Sequence, residues 1–378
     1  MITTRIGAVA AVLTASLAVA ACGSSSSSSS KSSAAGGSSS SSASSSSGGG
    51  GAATLNGAGS TLAAPIYQQW GSTLQGQGLT INYNPVGSGA GVADLQTATV
   101  QFAGSDPALK SADLAKLKGP ALQFPVAFGG ITVSYNLPGV KSGLKLDGAT
   151  IADIYLGKIK TWNDPAIAKL NPGLKLPSTS ITVVHRSDSS GTTKGFTTFL
   201  EDYSPEWKSK VGADKDVKWP TGTGAAKNAG VAAAVKQTSG AIGYVEQAYA
   251  LVNNFTYAAI KNSHGQYILP TIANTSAAAT GIKVPADLGI STINQGGPTA
   301  YPIASQTFLD VYKDPCKAGA SAATASGLKR FLTYAFGAGQ QTLGSGGSKL
   351  PYAPLPASLA AKDMAQLKTM TCNGSPIS

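Results

Sequence analysis

One tract of 31 residues, 23–53, cannot contribute to a hydrophobic core. It consists of 18 Ser, 7 Gly, 5 Ala and Lys31, so it has no apolar side chain larger than alanine. This composition predicts a flexible coil, which at this length spans about 30 Å on average. The fold is therefore confined to residues 54–378 of the 378-residue chain, a length that suggests roughly two domains.

The segment before this tract has the pattern of an export signal. Arg5 precedes an apolar run, and small residues end at Cys22. We therefore predict a signal peptide over residues 1–21 and an exported protein. Small residues directly before a cysteine resemble the bacterial lipobox, which predicts that Cys22 carries a lipid anchor and that residues 22–53 tether the fold to the extracytoplasmic face of the cell membrane. An ordinary cleaved signal with a chance cysteine is the alternative.

Composition excludes several classes of function. Hydrophobic residues make up 42% of the chain and charged residues only 12%, which is typical of a globular protein. The net charge of +11 comes mainly from scattered lysines, which predict a solvated surface and no nucleic-acid partner. Two histidines and three cysteines argue against a clustered His or Cys metal site, although Asp and Glu ligands stay formally open. No cofactor and no metal are expected.

Removal of the signal peptide leaves Cys316 and Cys372 as a pair in an oxidising compartment beside the lipid-bearing Cys22. We favour a disulfide between them, which would stabilise the fold by about 4 kcal/mol, less any strain. Two unpaired buried thiols are the alternative, because the sequence does not give their separation.

Beyond Thr54 the pattern alternates between strand-like and helix-like stretches, which predicts an α/β fold with mostly parallel strands. Period-two alternation predicts strands at Thr80–Pro85, around Ile131–Tyr135 and at Ser180–His185. Two sets of apolar residues have helical spacing and are assigned to the core: Leu62, Ile66, Trp70 and Leu74, then Leu328, Phe331, Leu332, Ala335 and Phe336.

A further helix is predicted around Ile151, Ile154 and Tyr155. Thr150 is expected to cap its start, because its hydroxyl can accept from an unpaired backbone N–H. Gly157 is expected to end it.

Four segments combine a strand end, small hydroxyl or glycine residues and a helix-compatible continuation. Such a helix start leaves unpaired N–H groups and a partial positive charge, which together can hold an anion. Each segment alone is weak evidence, so the prediction rests on their combination. The segments are Gly57–Leu62, Gly87–Gly91, Ala103–Pro107 and Arg186–Thr192.

The fourth segment is the most specific. Arg186 is one of only two arginines beyond the signal peptide, and its guanidinium can make two parallel hydrogen bonds to an oxyanion. Ser190 and Thr192 can donate beside it, while Asp188 can pair with Arg186 and fix its orientation. A surface salt bridge with a polar turn is the alternative.

Asp106 should repel a fully ionised anion. A protonated oxyanion such as hydrogen phosphate removes the conflict because it can donate a proton to the carboxylate, whereas sulfate cannot. The alternative is that Asp106 caps the turn before Pro107.

Catalytic patterns are thin. The sequence has no Gly-x-Ser-x-Gly elbow, complete phosphate-binding P-loop or Gly-x-Gly-x-x-Gly fingerprint. The two histidines, His185 and His264, form no recognisable arrangement with Ser190 as a nucleophile. We therefore assign no catalytic residue and interpret the chain as a binding protein.

The ordered segments resemble the substrate-binding proteins of high-affinity phosphate ABC importers. The resemblance extends from about Leu55 towards the C-terminus. It is carried by Gly57-Ala58-Gly59-Ser60-Thr61, Asn82-Tyr83, Gly87-Ser88, Ser105-Asp106-Pro107, Asp153-Ile154-Tyr155-Leu156-Gly157, Trp162-Asn163-Asp164, Asn171-Pro172-Gly173, Arg186-Ser187-Asp188-Ser189-Ser190-Gly191-Thr192 and Gly240-Ala241-Ile242-Gly243-Tyr244-Val245-Glu246.

The resemblance implies a two-lobed, type II periplasmic-binding-protein-like fold with a double hinge. Lobe 1 would comprise residues 54–127 and 301–378, and lobe 2 residues 128–300. Inorganic phosphate would bind in the cleft between the lobes, and the protein would deliver it to the membrane permease of an ABC importer. An exported phosphate-processing hydrolase and a surface-interaction lipoprotein are the competing functions.

The resemblance also implies the ligand set. Asp106 would accept the phosphate proton, and Asp188 would hold Arg186 in place. The implied donors are Thr61, Leu62, Ser88, Arg186, Ser190, Gly191 and Thr192. Leu62 stands where the family commonly has an aromatic residue, but its backbone donor survives the change. Gly89, Ala90 and His185 also depart from the family pattern.

Overall fold

The computed structural model describes residues 53–377, which lie within one compact unit, Gly49–Ser378. The predicted signal peptide, Cys22 and nearly all of the predicted tether lie outside the described residues. Ala53, the last residue assigned to the tether, begins the first strand.

Strands and helices alternate along the described residues. The strands are β1 (Ala53–Gly59), β2 (Leu79–Asn84), β3 (Phe102–Ser105), β4 (Ala121–Tyr135), β5 (Lys145–Leu146), β6 (Thr182–Arg186), β7 (Thr223–Ala225), β8 (Ala241–Glu246), β9 (Thr256–Tyr257), β10 (Ala259–Lys261), β11 (Tyr267–Ile268), β12 (Ala304–Tyr312), β13 (Thr371–Cys372) and β14 (Ser375–Pro376). The helices are α1 (Ala64–Gln75), α2 (Ser88–Thr97), α3 (Ser111–Leu114), α4 (Gly148–Tyr155), α5 (Pro165–Leu170), α6 (Gly191–Tyr203), α7 (Pro205–Lys210), α8 (Lys227–Gln237), α9 (Gln247–Val252), α10 (Ile272–Ala278), α11 (Ala322–Phe336) and α12 (Ala357–Leu367).

The main sheet has nine strands in the order β2-β1-β3-β12-β4-β8-β6-β7, with β9 paired to β4. Its two outer blocks, β2-β1-β3 and β8-β6-β7, are parallel. The centre is antiparallel, because β12 pairs with β3 and β4, and β4 pairs with β8. The expectation of mostly parallel strands therefore holds for the outer blocks but is wrong for the centre, where β12 and β4 join the two blocks by antiparallel pairing.

The long strand β4 divides the molecule into two lobes. Its first part pairs with β12, and its last five residues pair with β8. One hydrophobic core surrounds Trp70 and Phe331, while a second surrounds Trp162 and Phe196. The mixed α/β fold is thus the two-lobed arrangement expected from the sequence.

The helices predicted from apolar spacing occur at α1 and α11, and both bury the apolar face. The cap assigned to Thr150 is wrong. Asp147 caps α4 by accepting from the Thr150 N–H at 2.9 Å, so Thr150 is the recipient of the cap and lies inside the helix. Gly157 follows this helix with a φ of +76°, a conformation that favours glycine.

A disulfide joins Cys316 to Cys372 and fastens the C-terminal hairpin β13–β14. Asp314 reinforces the same junction by accepting hydrogen bonds from Thr371, Asn373 and Gly374. The disulfide favoured from the sequence is therefore present.

Among residues 53–377, no helix is long and apolar enough to cross a membrane. The same residues contain no group of three or more His, Cys, Asp or Glu side chains arranged to hold a metal ion.

Candidate functional site

The four glycine- and hydroxyl-rich segments converge at the ends of strands. The first follows β1, the second starts α2 at Ser88, the third ends β3, and the fourth links β6 to α6. In open α/β sheets, ligands bind at such strand ends. The structure brings segments that are up to 130 residues apart into one cleft between the lobes.

Arg186 lies at the end of β6 and is only 3% exposed. Its Nε donates to Asp188 Oδ1 at 2.7 Å, and its Nη2 donates to Asp188 Oδ2 at 2.5 Å. The remaining terminal nitrogen, Nη1, is buried and has no partner among the described residues. A buried guanidinium nitrogen in this state costs free energy unless a ligand accepts from it.

Asp188 holds this arginine against a second element. Its Oδ1 also accepts from the backbone N–H of Lys227, the first residue of α8, at 2.8 Å. Burial opposes ionisation of Asp188, but the hydrogen bonds and charge of Arg186 outweigh it and hold the pKa of this carboxyl below its usual range. The carboxylate is therefore ionised and fixes the guanidinium plane.

Asp106 lies directly after β3 and is 1% exposed. Its Oδ1 accepts from Ser60 Oγ at 2.5 Å and from Thr307 Oγ1 at 2.9 Å, while its Oδ2 contacts Ser88 Oγ at 3.5 Å. Burial raises the pKa of Asp106 to about 6, although these hydroxyls and the charge of Arg186 lower it. Near neutral pH the carboxylate is mostly ionised and can accept a proton from a ligand.

Sequence reasoning missed two of the groups that support Asp106. Ser60 lies in the first glycine-rich segment, directly before Thr61, and the sequence analysis assigned it no role. Thr307 lies in β12, 201 residues from Asp106, and the sequence gives no signal for this contact.

The start of α6 supplies hydroxyls to the same cleft. Ser190 caps the helix by accepting from the Thr193 N–H at 3.1 Å, which leaves the Ser190 hydroxyl proton free to donate elsewhere. Thr192 is 1% exposed, and its Oγ1 has no hydrogen-bond partner among the described residues. Both residues lie where the helix N-terminus contributes a partial positive charge.

Gly191 lies where the two lobes approach each other closely. A Cβ at this position would lie 2.4 Å from Asp106 Oδ2 and 2.5 Å from Ser88 Oγ. Such distances are far below van der Waals contact, so only glycine allows this approach. A cavity of about 180 Å³ opens beside it and is lined in part by Asp106 and Lys194.

Thr61 and Leu62 lie on the opposite wall of the cleft. Thr61 is 3% exposed, and its Oγ1 accepts from Asn228 Nδ2 at 2.9 Å. The Leu62 N–H donates to Ser60 Oγ at 3.0 Å, so this predicted ligand donor has a partner within its own segment. The structure thus places all eight predicted ligand residues in one region, and among their side chains Arg186 Nη1 and Thr192 Oγ1 are buried without a partner in the part of the chain that the structure describes.

Several contacts cross the cleft. The Gly89 N–H donates to the Ser189 oxygen at 3.2 Å, and the Tyr249 hydroxyl donates to the Thr61 oxygen at 3.0 Å. Lys110 pairs with Asp214 at 3.0 Å nearer to solvent. The described conformation is therefore closed.

Neither histidine is placed to activate a nucleophile here. His185 stacks on Trp219 with ring centroids 4.7 Å apart, and its Nδ1 lies 3.0 Å from the Arg186 oxygen. His264 lies in an exposed turn beside Ser263.

The sequence profile described as a PBP superfamily domain matches residues 42–338, which is most of the chain. The chain therefore belongs to the PBP superfamily.

Several curated relatives are named phosphate-binding proteins. The chain is 42% identical over 320 residues to the phosphate-binding protein PstS of Pasteurella multocida, an alignment that covers 84% of this chain and 90% of the relative. It is 40% identical to the phosphate-binding protein PstS of Haemophilus influenzae, with 84% and 93% covered. The identity to phosphate-binding protein PstS 3 of Mycobacterium leprae is 36%, with 82% and 85% covered. The chain therefore belongs to the family of these PstS proteins.

Solved structures share the fold. A high affinity periplasmic phosphate-binding protein (PfluDING) bound with phosphate has a TM-score of 0.67 at 23% identity, covering 82% of this chain and 93% of that chain. The ancestral soluble variant of the Human Phosphate Binding Protein has a TM-score of 0.68 at 23% identity, with 86% and 96% covered.

Proposed function

We propose that this protein is an extracytoplasmic receptor that binds inorganic phosphate in the cleft between its lobes and delivers it to the permease of an ABC importer. The observation that carries this proposal is the buried Arg186 Nη1, which lacks a partner within residues 53–377, in a closed cleft where Thr192 Oγ1 also lacks one. An anion accepting from both would satisfy them. Phosphate is the named ligand of the relatives, which are binding proteins.

The charges of the site favour a protonated oxyanion. Asp188 neutralises Arg186, while the ionised Asp106 and the ammonium of Lys194 both line the cavity beside Gly191. The charge of a bound anion would therefore be met mainly by hydroxyls, backbone N–H groups and the start of α6. Phosphate carries a proton that Asp106 can accept, whereas sulfate opposes one acceptor with another.

We further propose that lobe 1 comprises residues 54–127 and 301–378 and that lobe 2 comprises residues 128–300. The change of hydrophobic core along β4, between Phe128 and Ile131, supports the first boundary. The core changes back between Ile303 and Phe308, a few residues after the second boundary, because Tyr301 and Ile303 still pack in the second core. Phosphate would stabilise the closed form because its donors come from both lobes.

The proposed delivery requires the receptor to stay near the membrane. We propose that Cys22 carries the lipid anchor and that the residues between it and β1 act as the tether. Replacement of Cys22 by Ala should move the protein from the membrane fraction to the soluble fraction, while a chain starting at Thr54 should bind phosphate as tightly as the full protein. Membrane retention of the Cys22→Ala variant would contradict the anchor.

The direct test is calorimetric titration of inorganic phosphate into protein stripped of carried-over ligand. We expect one binding site per chain and a loss of affinity of about 30-fold or more in Arg186→Ala, because truncation of one partner in a buried charged pair costs about 2 to 5 kcal/mol. Arg330→Ala is the matched control, since this second arginine lies in α11 and donates to the Gln77 oxygen. Wild-type affinity in folded Arg186→Ala would overturn the proposal.

A hydrolase with the same cleft is the competing function. Incubation of the pure protein with a phosphomonoester separates the two, because a receptor releases no phosphate. We expect none, since both histidines lie away from Ser190 and no general base contacts its hydroxyl among the described residues.

A further inference from the structure

A buried asparagine contacts a proposed phosphate donor from the opposite lobe. Asn228 is the second residue of α8 and is completely buried. Its Nδ2 donates to Thr61 Oγ1 at 2.9 Å, across 167 residues of sequence. Burial of a side-chain amide costs free energy unless its polar atoms are hydrogen-bonded. The two partners of Asn228 therefore define how its amide is oriented.

The orientation of this amide is fixed by the backbone. The Oδ1 atom of Asn228 accepts from the Glu246 N–H at 3.0 Å. Rotating the amide by half a turn would direct its NH₂ group at this N–H, where two donors would face each other. The group that faces Thr61 is therefore the donor.

This donor determines where the Thr61 proton points. A threonine hydroxyl has one proton, and an oxygen that accepts from Asn228 must direct that proton elsewhere. Thr61 is nearly buried and lies on the wall of the cleft. We propose that Asn228 is a positioning residue that turns the Thr61 hydroxyl proton towards a bound phosphate oxygen, an inference that rests on the proposed function.

The anchoring of α8 supports this role. Its first residue, Lys227, has a φ of +65°, which is strained for a side chain of this kind, and its N–H donates to Asp188. The start of α8 is thus connected both to the carboxylate that holds Arg186 and to the hydroxyl of Thr61.

The bond also links hydroxyl orientation to closure. Asn228 lies in the proposed lobe 2 and Thr61 in lobe 1, so their contact exists only when the lobes meet. Loss of the contact should therefore act on the closed complex, accelerating phosphate release while leaving the first encounter nearly unchanged.

The test is a double-mutant cycle between Asn228→Leu and Thr61→Val, read by calorimetry and stopped-flow kinetics with inorganic phosphate. We expect Asn228→Leu to weaken binding about tenfold, the size of one hydrogen bond to a charged ligand. The loss should appear in the dissociation rate, with association changed less than twofold. In the Thr61→Val background, the same replacement should have no further effect. Thr61→Ser keeps the hydroxyl and should keep the dependence on Asn228.

Asn228→Asp provides a second route that retains the acceptor for the Glu246 N–H. Its second oxygen would take the Thr61 proton, so binding should be weaker than in Asn228→Leu. Repeating Asn228→Asp in the Thr61→Val background measures the effect of the added charge alone. If Asn228→Leu fails to fold, this comparison tests whether Asn228 acts through the Thr61 hydroxyl.

Unchanged affinity, or losses that add independently of Thr61, would overturn the positioning role. The proposed function fails separately, since it requires that the wild-type protein binds phosphate and that Arg186→Ala weakens it. If both of those results are obtained but Asn228 and Thr61 show no coupling, the protein is a phosphate receptor in which Asn228 does not orient the Thr61 hydroxyl.

Discussion

Asp106 and Asp310 are both buried at neighbouring strands, yet their surroundings are opposite. Asp106 follows β3, and Asp310 lies in β12, which pairs with β3. Three hydroxyls surround Asp106, whereas neither carboxyl oxygen of Asp310 has a hydrogen-bond partner among the described residues.

The pKa values follow from this difference. Burial raises the pKa of Asp106 only to about 6, because donors and Arg186 stabilise its ionised form. Burial raises the pKa of Asp310 well above its usual range, and the charge of Lys215 only partly opposes it. Asp106 is mostly ionised near neutral pH, whereas burial without donors favours the neutral form of Asp310. Burial therefore does not determine the charge of an aspartate; its donors do.

The largest effect that separates the two residues is expected in anion selectivity. Asp106→Asn replaces an acceptor by an amide that can donate, so sulfate affinity at pH 8 should rise about 100-fold, since only about one in a hundred carboxyls with a pKa of about 6 carries the proton that sulfate needs at that pH. Phosphate affinity should fall less than it does in Arg186→Ala. Competition titrations at low and at higher salt provide the measurement, because the net charge attracts anions non-specifically.

Asp310→Asn is the matched control for that experiment and should leave sulfate affinity unchanged. Continued rejection of sulfate by Asp106→Asn would show that donor geometry, and not this carboxylate, sets the selectivity.

A smaller effect is expected from pH in the unmodified protein. The pKa of Asp106 is about 6, so the carboxyl gains its proton as pH falls through 6 and becomes a donor. Sulfate affinity should rise about tenfold between pH 7 and pH 5, in proportion to the protonated fraction. Sulfate titrations across this range test the sign, and Asp106→Asn should abolish the dependence. Sulfate binding that is flat with pH in the unmodified protein would contradict the assignment.

The smallest effect on binding is expected at Asp310. Asp310→Asn should change phosphate affinity less than twofold, because this carboxyl does not contact the proposed ligand donors. Its consequence is for stability. A raised folded-state pKa contributes stability at low pH that is lost as pH rises, so the wild type should lose up to about 1.4 kcal/mol per pH unit from this group above the ordinary carboxyl pKa.

Chemical denaturation between pH 4 and pH 8 checks this expectation. The decline with pH should be shallower in Asp310→Asn, and the difference between the two proteins isolates Asp310 from other buried acids such as Asp363. Parallel curves would show that Asp310 has an unrecognised counter-charge.

Local patterns predicted what depends on local chemistry. Apolar spacing identified α1 and α11, since a helix that buries one face repeats its apolar residues with the helical period. The glycine-rich segments identified the cleft because each ends a strand. The cap of α4 was misassigned by three residues, since Asp147 and Thr150 are both suitable caps and only the chain path selects between them.

The parts that sequence reasoning missed come from distant segments. Thr307 supports Asp106 from β12, and Asn228 reaches Thr61 from the other lobe. Each is an ordinary polar residue within its own segment. Their roles arise only where antiparallel β12 and β4 bring the lobes together, and this central pairing is also what the expectation of a parallel sheet missed.

The contact at Gly191 has a consequence for how the cleft can change. Its wall at this point is the backbone itself, which meets the Asp106 carboxylate with no side chain between them. Glycine has no side chain to truncate, so no point substitution at residue 191 can enlarge the cleft on this side. Every replacement adds atoms and acts as a wedge that holds the lobes apart. The main chain at residue 191 therefore limits the size of the anion that the closed cleft can hold, and no substitution at this position can raise that limit.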